Sequence, residues 1–122
     1  MTNKKILMVD DSMDEMLKDL LVGLESNHIE YVYAASGEEA LRILNTQDQM
    51  FDLIVANYQM PGGMYGPEFL HEVRKKWTVP CLLQSASPLP PVTLRRVPEG
   101  IPFQVRWNTP ELLDKIKSML GQ

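Results

Sequence analysis

Five short apolar runs, each separated from the next by a stretch with apolar residues at helical spacing, leave this chain of 122 residues few folds to choose from. Lys5–Val9, Ile29–Ala34, Phe51–Ala56, Val79–Gln84 and Ile101–Val105 are near-continuous apolar runs, the pattern of strands covered on both faces. Between the first two, Met16, Leu17, Leu20, Leu21 and Leu24 share one stripe, so Met13 to Ser26 is predicted as an amphipathic helix, with Ser12-Met13-Asp14-Glu15 fitting a capping box. Ser36-Gly37-Glu38-Glu39 opens a second helix that turns Ala40, Leu41 and Leu44 inward. A third runs over Pro67–Lys76 with Phe69, Leu70 and Val73 on its face. The last begins at Thr109-Pro110-Glu111, where proline's missing N–H costs nothing, and buries Leu112, Leu113, Ile116 and Met119. Strands alternating with helices predict an α/β chain, a doubly wound parallel sheet, as a single domain over residues 1–122.

The fourth connection breaks the pattern. It reads SASPLPPVTLRRVPEG and carries Pro88, Pro90, Pro91 and Pro98. Each interior proline removes a helical hydrogen bond and clashes with the preceding turn. Only Val92 to Val97 is free of proline, so the fourth helix is expected to be short or irregular. SPLPP could also serve as a polyproline ligand, although prolines in connections more often act as stiffeners.

Composition narrows the partners. Twelve basic residues against 16 acidic ones give a net charge of −4, which argues against nucleic acid or an anionic membrane surface as the main partner. The single cysteine, Cys81, excludes an internal disulfide and reads, within VPCLLQ, as a buried strand thiol, in keeping with a reducing cytoplasm. The opening MTNKKILMVDDS reaches two aspartates too soon for a secretory signal or a membrane span.

In a doubly wound sheet ligands meet the carboxyl ends of the strands. Those ends carry Asp10 and Asp11, Asn57, Ser85 and Arg106. Two adjacent carboxylates begin many magnesium sites, because that hard cation takes one or two carboxylates and completes its shell with other oxygens. Capping of the following helix by Asp11 or Ser12 is the commoner meaning of such a pair.

Taken together, KILMVDDS, FDLIVANYQMPGGMYGPEFL, VPCLLQSA and IPFQVRWNTPELLDKI resemble the receiver domains of bacterial response regulators, the phosphoryl-accepting modules of two-component signalling, over almost the whole chain. The resemblance implies a flavodoxin-like (βα)5 fold with strand order 2-1-3-4-5. It also implies magnesium held by Asp10, Asp11 and the backbone carbonyl of Gln59, a phosphoacceptor at position 57, a switch hydroxyl at Ser85, a switch aromatic at Phe103 and the family's lysine at position 106.

The sequence departs from that pattern at the site itself. Aspartyl-phosphate chemistry needs an anionic carboxylate as nucleophile, and position 57 is asparagine. One clustered negative charge is lost, so any magnesium is expected to bind weakly, and no other cofactor is implied. Arg106 replaces the lysine, and its planar fork can pair with Asp10 or Asp11. Trp107 stands where a proline, often in a cis peptide, is common, which predicts a trans peptide and a different loop. The turn GGMYG is expected to be one residue longer than usual.

The first reading is therefore a degenerate, non-enzymatic receiver-like module working without phosphorylation, through contact with a signalling partner such as a histidine kinase or a downstream effector. Homodimerisation stays open. A conventional phosphoryl-accepting receiver whose Asn57 is an introduced substitution is the alternative. A small metal-dependent phosphatase using Asp10 or Asp11 is a distant third.

Overall fold

The computed structural model describes residues 3–46, 51–60, 63–105 and 109–122. Five parallel strands, β1 (Lys5–Val9), β2 (Glu30–Ala34), β3 (Leu53–Asn57), β4 (Cys81–Ser85) and β5 (Phe103–Val105), lie in the order β2-β1-β3-β4-β5. Helices α1 (Glu15–Ser26), α2 (Gly37–Thr46), α3 (Gly66–Lys76), α4 (Pro91–Leu94) and α5 (Thr109–Met119) connect and cover them. This is the expected flavodoxin-like order.

Alternation along each strand divides the core in two. Ile6 and Met8, Leu53 and Val55, and Leu82 pack with Leu17, Leu20 and Leu24 of α1 and Leu112 and Ile116 of α5. The intervening Leu7 and Val9, Ile54 and Ala56, and Cys81 and Leu83 pack with Ala40 of α2 and Phe69, Leu70 and Val73 of α3. Each fully buried Leu, Ile or Phe contributes about 1.5–3 kcal/mol. A residue placed at a strand's end is thereby assigned to one face or the other by its parity.

Local chemistry sets the helix limits. Helix α1 begins later than its sequence signal, because Asp14, not Ser12, is the N-cap: its side chain accepts from the Leu17 N–H at 2.8 Å. The helix stops where Asn27 folds back on it and His28 takes a left-handed φ of 59°. At α2 the predicted cap forms, with the Glu39 N–H donating to Ser36 Oγ and the Ala35 N–H to Glu39 Oε2. Helix α3 starts with Pro67 in its first turn and ends in Arg74, Lys75 and Lys76, which complement its dipole.

The fourth helix is the four-residue stub that the prolines imply. It is held in place from α3 and by Pro98, which is buried: His71 Nε2 lies 3.0 Å from the Arg96 carbonyl, and Arg74 Nη1 donates to the Glu99 carbonyl at 3.3 Å. Cys81 is buried as expected, and burial pushes its thiol up to about 11, with Arg74 pulling weakly the other way. No helix among the described residues is long and apolar enough to cross a membrane.

Candidate functional site

The carboxyl ends of β1, β3 and β4 carry polar side chains where the apolar ladder runs out. Val9 is level with Ala56, so Asp10 follows level with Asn57, and Asn57 is in turn level with Gln84 and Gln84 with Gln104. Asp10, Asn57 and Gln84 share the parity of Met8, Val55 and Leu82, which places them on the α1 and α5 side of the sheet. Asp10 and Gln84 are each 1% exposed, and Asn57 is half-buried.

Gln84 joins this row. Its Nε2 donates to Asn57 Oδ1 at 3.2 Å and stands 3.4 Å from Asp10 Oδ2, while Asn57 Nδ2 donates to the Gln59 carbonyl at 2.8 Å. The other oxygen of Asp10, Oδ1, accepts the Ser12 N–H at 3.0 Å. Gln84 Oε1 is buried with no hydrogen-bond partner among the described residues. Turning the amide over would set that oxygen against Asp10 Oδ2 and Asn57 Oδ1, so electrostatics favours the nitrogen between them.

Two elements fix Asn57. The Tyr58 N–H donates to the Gln84 carbonyl at 2.8 Å, which continues the ladder one step beyond the predicted strand end. From above, α3 starts so close to β3 that a Cβ on Gly66 would lie 2.5 Å from the Asn57 carbonyl oxygen and 2.8 Å from Leu83 Cδ1. The Gly66 N–H donates to the Tyr58 carbonyl at 2.8 Å. Of the described glycines of MPGGMYGP, a Cβ on Gly63 would meet only the flexible Glu38 side chain, whereas one on Gly66 would meet backbone, so the packing requires its missing side chain. Tyr58 and Tyr65 meet edge to face at 5.7 Å between ring centres beside this junction.

The carboxylates act on one further neighbour. Tyr33 on β2 donates its hydroxyl to the Asp10 carbonyl at 2.6 Å, and its pKa is raised above 10.0 by burial and then by Asp10, Asp11 and Glu39.

Hydrogen bonds join some of the sequence-derived site residues to one another. Asp10 and Asn57 are joined through Gln84, and Asn57 binds the Gln59 carbonyl. Asp11 is exposed. Ser85 has the opposite parity to Gln84, is 6% exposed, and its Oγ accepts the Ser87 N–H at 3.3 Å. Phe103 is half-buried, level with Leu83, against the α2 and α3 side of the core. Arg106 and Trp107, and with them the expected arginine pairing and trans peptide, lie outside the described residues, as do Gly62 of the GGMYG turn and Pro61 before it.

Magnesium would need oxygens that this network already uses. The Gln59 carbonyl accepts from Asn57, and Asn57 Oδ1 accepts from Gln84, so an ion bound there competes with both donors for these oxygens. Among the described residues, no group of three or more His, Cys, Asp or Glu side chains converges on a cation position. In this arrangement the oxygens of Asp10, Asn57 and Gln59 are already engaged within the protein.

Gln84 was the residue missed from sequence. Its one signal was a long polar side chain in an otherwise apolar strand, CLLQS.

Comparison with known proteins agrees with the architecture. The chain resembles the chemotaxis response regulator CheY4 of Vibrio cholerae at 28% identity, over 97% of this chain and 99% of that one, with a TM-score of 0.79. It resembles the response regulator TrrA of Thermotoga maritima, solved in complex with Mg2+-BeF, at 29% identity over 95% and 98%, with a TM-score of 0.74. It also resembles the receiver domain of the hybrid histidine kinase CckA at 27% identity over 95% and 98%, with a TM-score of 0.75. No curated relative was found by sequence. Residues 6–101 match the model of the response regulator receiver domain, and the chain belongs to that family.

Proposed function

We propose that this receiver domain is a signalling module of a two-component or phosphorelay system that works without phosphorylation at position 57, through contact with a protein partner. The observation that carries this reading is Asn57 itself. An amide supplies no anionic nucleophile, and both of its polar atoms are engaged inside the protein, Oδ1 by Gln84 and Nδ2 by the Gln59 carbonyl. Receiver domains are in general signalling modules rather than enzymes, and the same chemistry supports a non-enzymatic reading for residues 1–122 as one receiver-like unit.

Receiver domains commonly bind Mg2+ at the phosphorylation site. At the residues proposed for it here, Asp10, Asp11 and the Gln59 carbonyl, binding is weak or lost. Receivers meet histidine kinases and effectors, and some dimerise; a kinase or effector of that kind, in the cytoplasm, is the partner class. The surface offered to it includes the remodelled fourth connection, where Val92 is 65% exposed and is followed by the exposed Arg95 and Arg96. Ser85 and Phe103, the family's switch positions, act here as packing residues.

Magnesium with beryllofluoride, which forms a phosphoryl mimic on an aspartate, tests this reading. The amide spectrum of the chain is expected to stay unchanged. Shifts centred on residues 10, 57 and 85 would contradict it.

A further inference from the structure

We propose that Gln84 takes the place of the divalent cation: its side-chain amide holds Asp10 and Asn57 together and keeps magnesium out. This deepens the phosphorylation-independent reading above and rests on it, and it assigns Gln84 as a positioning residue.

A cation in such a cleft gathers oxygens that would otherwise repel one another and fixes their orientation. Here an N–H2 group stands between two oxygens, 3.2 Å from Asn57 Oδ1 and 3.4 Å from Asp10 Oδ2. The position is built: Gln84 is 1% exposed, and its main chain is held by the ladder to β3 and β5. Its orientation leaves Oε1 buried with no partner among the described residues, a cost that the two contacts of Nε2 offset.

A second consequence runs through Asn57. Because Gln84 takes Oδ1, the Asn57 amide must present Nδ2 to the other side, where it covers the Gln59 carbonyl at 2.8 Å. One buried side chain therefore competes for two candidate ligand oxygens, Asp10 Oδ2 directly and the Gln59 carbonyl by orienting Asn57. Asp11 is exposed, and the Asp10 oxygens accept from Ser12 and Gln84, so an ion there must compete with those donors while shedding water that it loses reluctantly.

The test is a Mg2+ titration by calorimetry and amide NMR on the wild type and on Gln84→Met, which keeps the length of the side chain and removes its donor. The wild type is expected to show no saturable binding at millimolar Mg2+. Gln84→Met is expected to bind at least about tenfold tighter, with shifts at residues 57 and 59, once the competing hydrogen bonds are gone. Equal affinities in the two proteins would overturn the proposal.

Should the variant fail to fold, the side-chain N–H2 resonances of Gln84 in the wild type decide the matter. Slow exchange with water and no response to Mg2+ support the cation role, whereas fast exchange contradicts it. A phosphoryl adduct on the native chain would end the phosphorylation-independent reading, while the ion titration would still judge Gln84 separately.

Discussion

The Tyr33 hydroxyl donates to the main-chain carbonyl of Asp10 across 2.6 Å, tying the edge strand β2 to the residue whose carboxylate faces Gln84. Removing the donor with Tyr33→Phe is expected to cost about 1 kcal/mol in chemical denaturation at neutral pH. The difference depends on pH in a defined direction. Burial, and then Asp10, Asp11 and Glu39, raise the pKa of this phenol above its ordinary 10.0, so the fold favours the protonated form. Its contribution is fully present below 10.0 and is lost as pH rises through that value and then through the higher folded one. The gap between wild type and Tyr33→Phe should therefore be flat near neutrality and narrow in alkali.

Gly66→Ala tests the junction of β3 and α3. The added Cβ would sit 2.5 Å from a backbone oxygen that cannot move without shifting Asn57. A loss of about 1–3 kcal/mol is expected in thermal or urea unfolding, with the site amides displaced. An unchanged midpoint would mean that α3 can slide on the sheet.

Cys81 should be inert in the native chain. Its thiol is raised from 9.0 to about 11, so at mildly alkaline pH the thiolate population is about a hundredfold below that of the unfolded chain, before burial slows access further. A maleimide or disulfide reagent should label it slowly in buffer and rapidly in denaturant. Rapid native labelling would contradict the placement of β4.

The fourth connection is held by two exposed side chains of α3. His71→Ala with Arg74→Ala removes the contacts to the Arg96 and Glu99 carbonyls. Global stability should change by no more than about 1 kcal/mol, because both contacts are exposed. Amide exchange at Thr93 to Val97 should nevertheless accelerate, since the segment then keeps only its apolar anchors, the buried Pro98 and the packed Leu89, Val97 and Ile101, among the described residues. Unchanged exchange would show that the prolines suffice.

Much of this molecule is legible in the chain because strand and helix periods differ. The alternation of apolar runs predicts the layers, and the four prolines of the fourth connection predict a short or irregular helix, observed as the stub Pro91–Leu94. The strand order came from the family resemblance, since period alone does not say which strands are neighbours. Element ends were harder. Asn57 and Ser85 belong to strands because neighbouring strands carry the ladder as far as them, a tertiary fact. Ser12 and Asp14 are both capping residues, and only the path of the chain leaving β1 decides for Asp14.

Gln84 shows the limit most plainly. Its partners lie 27 and 74 residues away, so a glutamine in an apolar strand could not be told from a polar side chain at a sheet edge. The asparagine at 57 was readable as a lost charge. That both ends of its amide are occupied follows only from the register that sets β1, β3 and β4 level.

Intact-mass analysis after incubation with Mg2+ and a small phosphodonor tests the central claim most directly, with Asn57→Asp run in parallel. The native chain is predicted to keep its mass, and Asn57→Asp to stay inert; rapid uptake by Asn57→Asp would favour a conventional receiver whose Asn57 is an introduced substitution. A stoichiometric phosphoryl adduct mapped to a carboxylate of the native chain would contradict the account.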